Sequence, residues 1–122
     1  MAKRVLIADD SDSVRKLIQS VVEQQQGIEV CALTDNGMEA IAKATDLQPD
    51  LLILDVQMPG LNGIEVAGIV RDRLPNAKII LFTIYGDAVK SIAASVGANV
   101  VLAKADGLGG LARTVQSLLT AE

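Results

Sequence analysis

The chain has 122 residues, half of them hydrophobic, and sets 11 basic against 15 acidic side chains for a net charge of −4. That length holds one domain, 1–122, with a core that needs no staples. An acidic balance without Lys/Arg runs argues against direct nucleic-acid binding; the lone Cys31 excludes an internal disulfide; and no apolar run reaches a membrane span.

Two kinds of apolar pattern alternate from the N-terminus. "VLIA" at 5–8 is short, continuous and β-branched, as expected of a strand buried on both faces, and Asp9, Asp10 and Asp12 follow it closely. Val14, Leu17, Ile18, Val21 and Val22 then share one helix face, which Asp10 or Asp12 could cap and Gly27 stops. "IEVCAL" at 28–33 is weaker and suits an edge strand, with Cys31 expected in the core. Asn36 caps a second predicted helix carrying Met38, Ile41 and Ala42.

"LLIL" at 51–54 is the most apolar strand, and Asp55 ends it. Pro59 disfavours helix at Met58 and Gly60 loosens the chain, so Asp55 is expected to be presented at a sharp turn rather than buried. A third helix has Val66, Ile69 and Val70 and stops at Pro75; strand "IILF" at 79–82 leads to Thr83. Val89, Ile92, Ala93 and Val96 mark a fourth helix ended by Gly97, and strand "VVLA" at 100–103 leads to Lys104. The fifth helix has Leu108, Leu111, Ala112, Val115 and Leu119, with a first turn weakened by Gly107, Gly109 and Gly110. Strict strand–helix alternation predicts an α/β doubly wound fold, a parallel sheet with helices on both faces.

In such a sheet the ligand site lies beyond the carboxyl ends of the strands. Asp9, Asp10, Asp55, Thr83 and Lys104 all stand there. Two carboxylates about 4 Å apart repel by roughly 4 kcal/mol at an effective dielectric near 20, so three acids with one lysine call for a further cation. A hard divalent ion with oxygen ligands fits, Mg²⁺ first, while the absence of His argues against zinc. A carboxylate beside such an ion, an ammonium and a hydroxyl is suited to accept a phosphoryl group as an acyl phosphate.

The marks "ADD", "LDVQMPGLNGIEV", the Thr of "LFT" and "GANVVLAK", in that order, resemble a response regulator receiver domain of the CheY-like kind over essentially the whole chain, with the last closest to the NarL/LuxR type. The resemblance implies a flavodoxin-like (βα)5 fold with strand order 2-1-3-4-5. It implies Asp55 as phosphoacceptor, Asp10, Asp55 and the Gln57 carbonyl as Mg²⁺ ligands, Asp9 acting largely through water, Thr83 as the moving hydroxyl and Lys104 as the pairing cation. The expected partners are a histidine kinase or phosphotransfer protein and a downstream protein met by the face of helix 4, strand 5 and helix 5, with homodimers also open. Expected too are a cytoplasmic location, no effector domain in this chain, and no catalysis beyond its own phosphorylation and dephosphorylation.

Two departures stand out. Val101 occupies the place where many receivers carry an aromatic that rotates with the hydroxyl residue, and Ala105 follows the lysine in place of a common Pro. The first keeps open an alternative, a receiver-like interaction or dimerisation domain that works without phosphorylation. A magnesium-dependent hydrolase of the haloacid-dehalogenase type would need an acid where Gln57 stands.

Overall fold

The computed structural model describes residues 2–120. In chain order it runs β1 (Lys3–Ala8), α1 (Asp12–Glu23), β2 (Ile28–Thr34), α2 (Gly37–Leu47), β3 (Leu51–Leu54), α3 (Gly63–Arg73), β4 (Lys78–Thr83), α4 (Gly86–Ala93), β5 (Val100–Ala103) and α5 (Leu108–Thr120). The five strands form one parallel sheet in the order β2-β1-β3-β4-β5. The strand sequences account for the layering, because successive residues point to opposite faces. Leu6, Leu52, Leu54, Ile79 and Leu81 pack under α2 and α3, whereas Val5, Leu51, Ile53, Ile80 and Phe82 pack under α1 and α5. No helix among the described residues is long and apolar enough to cross a membrane.

Several local expectations are corrected. Ser11, not Asp10 or Asp12, caps α1, its hydroxyl accepting the Val14 N–H at 3.3 Å. Leu17 is 54% exposed and Met38 64%, so the buried stripes of α1 and α2 are narrower than the apolar spacing predicted. Ile92 is also exposed, while Val89 and Ala93 form the buried stripe of α4, which tightens into a 3₁₀ turn at Ala94–Val96. α5 begins at Leu108 with Gly109 and Gly110 inside its first turn. Cys31 is half-buried rather than a core residue. It sits on an edge strand and is the extra residue of a bulge, with Val30 opposite Val5 but Ala32 opposite Leu6.

Candidate functional site

Register alone brings the carboxyl-end residues to one level. Ala8 pairs with Leu54, so Asp9 and Asp55 emerge side by side, and Thr83 pairs with Ala103, so Lys104 follows at once beyond them. The strand ends are held by backbone bonds, Asp55 N–H to the Ala8 carbonyl at 2.9 Å and Asp9 N–H to the Thr34 carbonyl at 3.1 Å.

Lys104 Nζ donates to Asp9 Oδ2 at 2.7 Å and to Asp55 Oδ2 at 3.2 Å, bridging the first and third strands from the fifth. Asp9 is 1% exposed and Asp55 6%, so Asp55 is buried, against the expectation that it is presented openly. β3 lies centrally in the sheet, and the ammonium bridges its terminal carboxylate to that of Asp9. Burial and the neighbouring Asp9 charge raise the Asp55 carboxyl above the usual range, against the opposing pull of Lys104. Burial alone would lower the Lys104 ammonium, but its hydrogen bond to Asp9 and the charges of Asp55 and Asp9 outweigh this and raise it.

Asp10 is exposed, yet one carboxylate oxygen each from Asp9, Asp10 and Asp55 lies within 4.8 Å of the others. These are hard oxygen donors with one member open to water, a set suited to a divalent ion that keeps part of its hydration shell. The tension between Asp9 and Asp10 is therefore divided: Asp9 meets a lysine, and Asp10 meets solvent.

Thr83 is fully buried, and its hydroxyl accepts the Tyr85 N–H at 3.1 Å, while no hydrogen bond joins it to Asp55 among the described residues. The Tyr85 hydroxyl donates to Gln57 Oε1 at 3.3 Å, linking the loops after β3 and β4. Two further residues shape the site. Ser11 N–H donates to Asp9 Oδ1 at 2.9 Å, and Arg15 Nη1 donates to the Asp9 carbonyl at 2.7 Å. Ser11 was legible, since Ser ranks with Asp as a helix cap. Arg15 has no such signal, because nothing local marks a carbonyl six residues earlier as its target.

Residues 5–116 match the family model for the response regulator receiver domain. The chain is 34% identical over 85 residues to the transcriptional regulatory protein LnrK of Bacillus subtilis, covering 70% of this chain and 39% of that protein. It thus spans well under two thirds of that relative's length. With the chemotaxis protein CheY of Thermotoga maritima it shares 37% identity over 94 residues, 77% of this chain and 78% of that one. The structure of the response regulator TrrA of Thermotoga maritima, in complex with Mg²⁺–BeF, superposes with a TM-score of 0.85 at 36% identity, covering 95% of this chain and 98% of that one.

Proposed function

The chain belongs to the response regulator receiver domain family of two-component systems, and from that premise we propose that Asp55 accepts a phosphoryl group from a phosphohistidine on a histidine kinase or phosphotransfer protein. The observation that carries this reading is the buried Asp55 held by Lys104 at 3.2 Å beside the Asp9 and Asp10 carboxylates. An Asp55 oxygen attacks phosphorus, the N–P bond breaks, and the imidazole nitrogen keeps the electron pair. The product is an acyl phosphate. Lys104 offsets charge on the transferred oxygens, and its bond to Asp9 fixes where its ammonium stands. Asp10, Asp55 and the Gln57 carbonyl would hold Mg²⁺, with Asp9 acting through water. The ion, when bound, would neutralise developing negative charge on the phosphoryl oxygens.

Output follows from charge. A phosphoryl group adds about −1.5 to −2 near Thr83. For its hydroxyl to turn toward that charge, Thr83 gives up the bond it accepts from Tyr85 N–H. The loop that moves is already in close contact with β5, since a Cβ on Gly86 would stand 2.9 Å from the Ala103 Cβ. The face of α4, β5 and α5 shifts as a result, for a downstream protein to read. Val101, partly buried against the core, offers no aromatic to rotate, which favours backbone movement here.

Label transfer tests the assignment. A phosphorylated histidine kinase with Mg²⁺ is expected to label the chain and not its Asp55→Asn variant, and an unlabelled wild type would sink the reading. The second reading, an interaction or dimerisation domain indifferent to phosphate, is supported by Val101 and is favoured if partner binding is equal with and without beryllofluoride.

Mg²⁺ at about 100 times its Kd adds roughly 2.7 kcal/mol of stability to a protein that binds it only when folded. The melting temperature should therefore rise with Mg²⁺, and rise less than half as much in Asp10→Asn. Tyr85→Ala, which removes the ring whose hydroxyl bonds Gln57, should speed spontaneous phosphoryl loss severalfold. An unchanged decay rate would show that water does not pass there.

A further inference from the structure

We propose that Gly37, the first residue of α2, is a positioning residue for the loop that carries Asp55 and Gln57. The inference rests on the receiver reading above and adds to it a residue that touches neither phosphate nor ion.

The loop leaves β3 at Asp55 and rejoins the fold at Gly63, where the Gly63 N–H donates to the Val56 carbonyl at 2.9 Å. A Cβ on Gly63 would overlap the Asp55 carbonyl oxygen and stand 3.0 Å from the Val56 Cα, so this end of the loop is closed against α3. The apex is held from a different element. The Gly37 N–H donates to the Pro59 carbonyl at 3.3 Å, and a Cβ on Gly37 would overlap the Leu61 carbonyl oxygen and stand 2.8 Å from the Leu61 Cβ.

Backbone atoms form that contact, so no rotamer change makes room for a methyl group: either α2 or the loop must move. The helix is the firmer body. Its Asn36 cap accepts the Glu39 N–H at 2.9 Å, and Ala40, Ile41 and Ala44 are buried in the core. Gln57 lies two residues before Pro59, so displacing the apex displaces the carbonyl that would meet the ion. A purely structural role for Gly37, letting α2 pack close to α3, would leave ion affinity untouched.

Calorimetric Mg²⁺ titration of the full chain separates the two. Supporting residues around a metal site are worth about 10 to 100-fold in affinity, so Gly37→Ala is expected to bind Mg²⁺ at least about tenfold more weakly. Ala44→Gly weakens the same helix about two turns away and should lower the melting temperature with Mg²⁺ affinity unchanged. Should Gly37→Ala fold poorly, the wild type supplies the measurement. Its Gly37 amide resonance should shift, and its hydrogen exchange slow, on the same Mg²⁺ titration curve as Gln57. Wild-type affinity in Gly37→Ala, or a Gly37 amide indifferent to Mg²⁺, overturns this proposal alone. A wild type that takes up no Mg²⁺ overturns the receiver-site reading and this proposal with it.

Discussion

Replacing Asp55 with Asn will leave the chain unable to hold a phosphoryl group and, without Mg²⁺, will raise its melting temperature at neutral pH by a few degrees. The first effect follows because an amide lacks the nucleophilic carboxylate. The second follows from burial and the Asp9 charge, which raise the Asp55 carboxyl pKa in the folded state against the pull of Lys104. A carboxyl that takes up protons more readily folded than unfolded loses stability for the protein as pH climbs through its folded value. At neutral pH the ionised Asp55 therefore costs stability, and Asn removes that cost while leaving Lys104 paired with Asp9 at 2.7 Å. Acidification should narrow the gap between variant and wild type, because wild-type Asp55 then protonates. Thermal melts from neutral pH down to about pH 4, near the ordinary carboxyl range, check both sign and trend. A variant less stable than wild type at neutral pH would mean that the Lys104 pairing outweighs burial.

Lys104→Ala has the opposite sign and a larger size. The ammonium is the cation between Asp9 and Asp55, whose side chains are 1% and 7% exposed, and its own side chain is 18% exposed. Removing one partner of a buried ion pair costs about 3–5 kcal/mol. Water reaching the site through the space left by Lys104 brings the expected loss to about 2–4 kcal/mol, read by urea unfolding at neutral pH without Mg²⁺. The lysine pKa is raised above its ordinary 10.5 in the folded state. Its contribution is thus complete below the unfolded value and lost only as pH rises through the folded one, so neutral pH reads it in full. In the variant, acid should restore part of the stability as the stranded Asp55 protonates, and Mg²⁺ should stabilise it more than it does the wild type. The double variant Lys104→Ala with Asp55→Asn should recover part of the loss, because one stranded charge has gone. A cost below about 1 kcal/mol for Lys104→Ala would place the pair among solvated surface bridges.

The order of elements and the rim of the sheet were legible because both depend on local pattern. Continuous apolar runs such as "LLIL" mark strands buried on both faces, and the residue after each run must emerge at the carboxyl edge, which located Asp9, Asp10, Asp55, Thr83 and Lys104. The burial of Asp55 was not legible, since it depends on a lysine 49 residues away folding over it. The cap of α1 turned on Ser11 competing with two aspartates of equal propensity. Leu17 and Met38 satisfied the helical spacing and still face solvent, because spacing names a face but not how far the neighbouring element extends over it. Gln57 entered the expected site only through the family resemblance, and its side-chain bond to Tyr85 links residues 28 apart in the chain.

The bulge at Cys31 ties the site to a matter of parity. Ile28 and Val30 face the α1 and α5 layer, yet Ala32 faces the α2 and α3 layer, so the strand changes face once along its length. Beyond that change, Thr34 pairs with Ala8, and its carbonyl accepts the Asp9 N–H at 3.1 Å. Were Cys31 paired with Leu6 in place of Ala32, every later side chain of β2 would slip by one and turn over, carrying Thr34 away from Ala8 and out of its buried seat. What position 31 supplies at the Asp9 edge is a spare place rather than a thiol: taken up in the bulge, it leaves the outermost strand in step with Asp9.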